Sequence, residues 1–136
     1  MSMPFSDINV LAIIVAALIN IAIAALWYSP NVFGKIWGSA HGFTVDSLTP
    51  TVWQYIGAVV LSLITAWVLA LLIVALGVTS VGYAVELAFL LWLGFVAAIG
   101  FSGVIWAKKP LIAYLIDSGF HLLSLVIMSI ILTLWR

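Results

Sequence analysis

The chain has 136 residues, 67% of them hydrophobic and 6% charged, with a formal net charge of zero and a mean hydropathy of +1.39. Soluble domains carry about a quarter charged residues, so a soluble globular domain is excluded, and the neutral balance gives no reason to expect nucleic acid as a partner. No cysteine is present, which removes disulfides, thiolate catalysis and Cys-ligated metals.

Four apolar runs, Ile8–Tyr28, Thr51–Leu76, Val81–Trp106 and Leu111–Trp135, are each long enough to span the hydrocarbon core. As helix that takes about 20 residues for about 30 Å. The expected fold is all-α: one domain over 1–136, an antiparallel bundle of four transmembrane helices with a short interfacial helix between the first two. The first run is too long for a secretory signal, and no Lys or Arg precedes it. It reads as a retained helix even though Ala22-Ile23-Ala24 resembles a cleavage site.

The first helix is expected to start after Ser6-Asp7. Ala12, Ala16, Asn20 and Ala24 follow at four-residue steps, a spacing that lets helix backbones approach in lipid. Asn20 falls near the bilayer midplane, where its amide needs a partner from another helix or a ligand. Trp27-Tyr28 forms an interfacial anchor, and Ser29-Pro30 breaks the helix.

In the connection that follows, Val32, Phe33, Ile36 and Trp37 fall on one side of a short helix and Lys35 on another, as in a segment lying in the headgroup plane. Gly34, Gly38 and Gly42 are expected to loosen this stretch, and His41 to be a solvated loop residue. Thr49-Pro50 marks the start of the second helix, in which Ala58, Ser62, Ala66 and Ala70 form another stripe of small residues. Gly77-Val78-Thr79-Ser80 is a tight turn, so the second and third helices should be antiparallel neighbours. The third carries Glu86, then Gly94, Ala98 and Ser102 at four-residue steps.

The last run holds the densest polar cluster. Asp117, His121, Ser124 and Met128 recur at three- and four-residue steps and share one helix face. Ionisable side chains inside such a run normally face a bundle interior or a hydrated cavity. At 1.5 Å per residue, Asp117 lies about 9 Å from the Lys-bearing side, His121 about 15 Å, and Glu86 about 7 Å from the opposite side. Asn20, Ser62, Thr65 and Ser124 cluster near the middle.

That distribution has two readings. In one, the polar groups satisfy each other: Asp117 pairs with His121 one turn on or reaches Lys35, Lys108, Tyr28 or Ser29, and Glu86 snorkels to the headgroups. In the other, they form a broken polar path for a proton, an ion or a small substrate. No Ser-His-Asp order, H-E-x-x-H, glycine-rich phosphate loop or paired His for haem is present, so no enzyme, cofactor or metal is expected.

Even-numbered crossings put both termini on one side. The other side holds Lys35, Lys108 and Lys109, so the positive-inside rule places those loops in the cytoplasm and the termini outside, in a cell inner membrane.

Ala25-Leu26-Trp27-Tyr28-Ser29-Pro30, followed by Phe33-Gly34-Lys35 and Trp37, resembles the first-helix pattern of the membrane family catalogued as domain of unknown function 1761. Gly119-Phe120-His121-Leu122-Leu123-Ser124-Leu125, with Ile127-Met128 and Trp135, resembles its last helix. The resemblance implies a bacterial four-helix integral membrane protein and no defined activity. It also implies that the position of Asp117 is often an amide, so an Asp-dependent mechanism would be peculiar to this chain.

The expected function is that of a non-enzymatic component acting by helix packing in a homo-oligomer or larger membrane complex, with the lipid bilayer as its surroundings. The alternative is a small transporter or channel subunit built on Asp117, His121 and Glu86. A third, minor possibility is a lipid- or quinone-binding accessory subunit, suggested by Trp and Tyr near both interfaces.

Overall fold

The computed structural model describes residues 2–43 and 50–135. Its elements are α1 (Val10–Trp27), α2 (Gly34–His41), α3 (Val52–Ala75), α4 (Val81–Leu91), a π-helical segment (Trp92–Ala97), α5 (Ala98–Trp106) and α6 (Leu111–Leu134). α4, the π segment and α5 run on without a break as one crossing. With α1, α3 and α6 this makes four helices among the described residues that are long and apolar enough to cross a membrane, as the runs of apolar sequence lead one to expect.

The starts of α1, α3 and α4 are set by side-chain caps. α1 begins at Asn9, whose side chain accepts from the Ala12 amide at 3.2 Å, and not at Ser6-Asp7; Asp7 is held in a turn by the Pro4 carbonyl. α3 is capped by Thr51, two residues later than Thr49-Pro50 suggested. Thr51 and Gln54 each receive the other's amide, at 3.4 and 2.9 Å, and this capping box satisfies two backbone donors at once. Thr49 lies outside the described residues. Ser80 caps α4 by accepting from the Tyr83 amide.

Three helices stop in the same way. Gly42, Gly77 and Lys108 have φ of +79°, +67° and +55°. The next amide then returns to an earlier carbonyl: Phe43 to Gly38 at 2.7 Å, Val78 to Ile73 at 3.0 Å and Lys109 to Gly103 at 3.0 Å. This closure satisfies carbonyls that the helix leaves open. Two of the three positions carry the residue with no steric cost there; Lys108 does not.

The glycines of α2 do not loosen it. Gly34 and Gly38 are buried within the helix, and a Cβ on Gly34 would fall 2.2 Å from the Tyr28 carbonyl oxygen. Close approach of α2 to the end of α1 therefore requires glycine. The expected one-sided apolar face of this segment splits. Phe33 packs on Trp27 and Trp37 on Tyr28, while Val32, Ile36 and Lys35 are exposed.

α6 is the central element, packing against α1, α2, α3 and the third crossing. Small residues bring the helices close at the end that holds the termini. Ala12 and Ala16 of α1, Ala66 and Ala70 of α3 and Ala84 of α4 are buried with Ile73, Val78, Met128 and Leu132. Lipid tails are as apolar as these side chains, so close packing supplies the attraction. The Gly77–Ser80 turn does not make α3 and α4 packed neighbours as expected: both lie on α6 and have little contact with each other.

Only half of α3 joins the bundle. From Val52 to Leu61 every residue is exposed except the half-buried Gly57, and burial begins at Ser62. The third crossing is exposed along most of its length, including Gly94, Ala98 and Ser102. Two stripes of small residues thus face inward, and the third faces out.

Candidate functional site

The polar strip of α6 meets the chain in two separate places. The first is at the end of α1. Tyr28, the residue that caps α1, donates its hydroxyl to Asp117 Oδ1 at 2.5 Å. Lys109 Nζ donates to Asp117 Oδ2 at 2.8 Å, so each carboxylate oxygen has one donor. The side chains of Lys109 and Asp117 are 33% and 21% exposed, which leaves the ion pair at the rim of the bundle. Burial, and then the hydrogen bond and charge of Asp117, raise the Tyr28 phenol above its usual pKa. It therefore keeps its proton and remains a donor.

Aromatic rings build the wall of this cluster. Trp27 donates Nε1–H to the Ile116 carbonyl at 3.0 Å, and its indole lies on Gly119, where a Cβ would come within 3.3 Å of Cζ2. Tyr28 meets Phe120 and Trp37 edge-on, with ring centroids 5.6 and 5.7 Å apart. The Trp27-Tyr28 stretch and the Gly119-Phe120 stretch are thus two halves of one contact.

The second place is near the middle of the membrane-crossing segments. Asn20 of α1 donates to Ser62 Oγ of α3 at 2.8 Å and accepts from the Ser124 hydroxyl of α6. One amide ties three crossings together. Such interhelical bonds contribute about 0.6 kcal/mol on average, and up to about 1.7 kcal/mol.

On the other side of α6, Trp92 donates Nε1–H to the Ser118 carbonyl at 2.8 Å, and Tyr114 donates its hydroxyl to the Ala97 carbonyl at 2.6 Å. Both bonds use the π segment, where i→i+5 pairing widens the turn. These two, like Lys109, are contacts that sequence reasoning missed. Indole and phenol donors bonded to backbone carbonyls leave no spacing pattern to find.

Other expected members stand apart. His121 is exposed, its ring lies 5.2 Å from that of the neighbouring Phe120, and it makes no hydrogen bond to Asp117. Glu86 is exposed and unpaired among the described residues. Lys35 is exposed on α2. Trp37 is half-buried, and its Nε1 and the Nε2 of His41 have no hydrogen-bond partner among the described residues. His41 is not a solvated loop residue: it ends α2, half-buried, with its ring 4.5 Å from Trp37 and 5.4 Å from Phe43. Among the described residues no three His, Asp or Glu side chains gather as a metal site.

Chemically, this arrangement neutralises one carboxylate at a rim and satisfies one amide near the midplane. The two patches share α6 and, among the described residues, no further polar contact joins them. The family model described as Protein of unknown function (DUF1761) matches residues 11–133. That span runs from the first turn of α1 to the last turn of α6 and includes every residue of both patches. Neither a curated protein nor a solved structure matches the chain. The protein therefore belongs to the DUF1761 family of proteins of unknown function.

Proposed function

We propose that this protein is a non-enzymatic membrane component that acts by helix packing, with itself or with a larger membrane complex. The observation that carries this reading is the allocation of polar groups. Asn20, Ser62 and Ser124 satisfy one another, and Asp117 is satisfied by Tyr28 and Lys109. A carboxylate within a crossing is costly unless it is paired, and Asp117, at the rim, is offset by contacts that fasten α1 and the α5–α6 turn to α6. Meanwhile the third crossing is left outward along most of its length, which supplies surface for association.

Reconstitution into vesicles tests this reading against transport. Packing predicts no proton or ion flux above protein-free vesicles, and lower thermal stability in Asp117→Asn. Flux that vanishes in Asp117→Asn and His121→Ala with assembly intact would replace this reading by the transporter one.

The proposed location is a cell inner membrane, with the termini outside and α2, which bears Lys35, and the Lys108-Lys109 turn on the cytoplasmic side. Ser39 is exposed on α2, and the chain has no cysteine. A Ser39→Cys variant should be protected from an impermeant thiol reagent in intact cells; labelling there would reverse the orientation.

A further inference from the structure

We infer that the outward face of α4 is where a second copy of this chain docks, with Tyr83 of each copy hydrogen-bonded to Glu86 of the other. The inference rests on the packing function proposed above and names the partner and the surface.

Tyr83 and Glu86 are three residues apart on α4, so they are neighbours on its surface. Tyr83 is 41% exposed and Glu86 is exposed, whereas Ala84, Leu87 and Ala88 form the buried side. Neither the Tyr83 hydroxyl nor the Glu86 carboxylate has a partner among the described residues. One is a donor and the other an acceptor. A two-fold interface places the same patch of both subunits together and so must be self-complementary. This patch is: around a two-fold axis along the membrane normal, the phenol of each copy reaches the carboxylate of the other.

Depth selects this pairing over one between Glu86 and His121. Glu86 lies about 7 Å along its crossing from the terminal side, and His121 about 20 Å from that side. Two copies inserted in the same direction cannot bring these groups together. Tyr83 differs from Glu86 by only about 4.5 Å of rise, within the reach of a tyrosine side chain.

The helix continues in a form suited to the contact. Leu90, Gly94, Ala98 and Ser102 are exposed at four-residue steps beyond Glu86. In an α-helix with 3.6 residues per turn, each such step drifts about 40° past a full turn. The π segment, Trp92–Ala97, needs more residues per turn, so steps through it fall short of a full turn and offset that drift. The small residues are thereby kept in line below Tyr83 and Glu86, and a Cβ added to Gly94 would meet nothing of its own chain.

Disulfide trapping of the full chain in vesicles tests the inference, since the protein has no cysteine of its own. Single Leu90→Cys and Gly94→Cys variants should cross-link into dimers under mild oxidation, and Leu115→Cys and Leu123→Cys, on the exposed side of α6, should not. Tyr83→Phe should raise the dimer dissociation constant roughly tenfold, the size expected for losing two interhelical bonds, and Tyr55→Phe on α3 should leave it unchanged. A multimer that cross-links only at α3 or α6 positions, or a Tyr83→Phe dimer as tight as the parent, overturns this interface and leaves the packing function standing. A single-chain mass at every protein-to-lipid ratio, with no partner protein bound in native membranes, overturns both.

Discussion

Tyr28 and Asp117 are 89 residues apart in sequence and joined by a hydrogen bond of 2.5 Å. The bond fastens the end of the first crossing to the second turn of the last. Lys109 holds the other carboxylate oxygen at 2.8 Å, so removing Lys109 leaves the Tyr28 bond but exposes an unpaired charge at the rim. Lys109→Met should lower stability by about 1 kcal/mol, the upper range for partly exposed pairs. Asp117→Ala, which strands both donors, should cost about 2 kcal/mol. Thermal unfolding in one detergent measures both, and equal losses would contradict the assignment of two donors to one carboxylate.

Asn20 is the second fastening. Asn20→Leu removes the donor to Ser62 and the acceptor for Ser124 together. The loss should be about 1–2 kcal/mol, larger than for Ser62→Ala, which removes one bond and leaves the Ser124 contact. A stability series on these two variants checks the order.

Glycine positions separate close approach from empty space. Gly34→Ala places a Cβ 2.2 Å from the Tyr28 carbonyl oxygen, against backbone that cannot yield. It should cost more than about 2 kcal/mol, in the range of overpacked sites. Gly57→Ala, with nothing within 4 Å, should stabilise α3 by about 0.5–1 kcal/mol through helix propensity. Fluorescence of the Trp27 and Trp37 region should change in the first variant and not in the second.

Lys108 holds φ +55°, a conformation its Cβ disfavours by about 1–2 kcal/mol. Lys108→Gly should raise the unfolding midpoint, and Lys108→Val should lower it. The same two substitutions at Lys35, inside α2, should both be destabilising or neutral.

The crossings were legible because the length of an apolar run and the thickness of a bilayer are enough to place them; Val81–Trp106 is bounded as the sequence suggests. The polar strip was legible in part. Ser124 and Met128 are buried and Asp117 is bonded inward, as their shared helix face implies. The pairing within the strip was not. Asp117 and His121 are one turn apart, yet Asp117 bonds Tyr28 and Lys109 instead, and Lys109 is delivered by a left-handed Lys108 that spacing alone does not reveal. The π segment had no visible signal either. Its anchors are the Ser118 and Ala97 carbonyls, and every residue type has a carbonyl. Asn20 bonds Ser62 and Ser124, two residues that rise per residue puts in the same layer of their crossings.

A double-mutant cycle between Tyr28 and Asp117 tests most directly whether the polar strip of α6 serves to hold the bundle together. Unfolding free energies of the parent, Tyr28→Phe, Asp117→Ala and the double variant give the coupling of the pair alone. The account predicts a coupling of about 1–3 kcal/mol, as for a hydrogen bond to a charged group. Additive losses within about 0.3 kcal/mol would contradict it and return the carboxylate to a role outside packing.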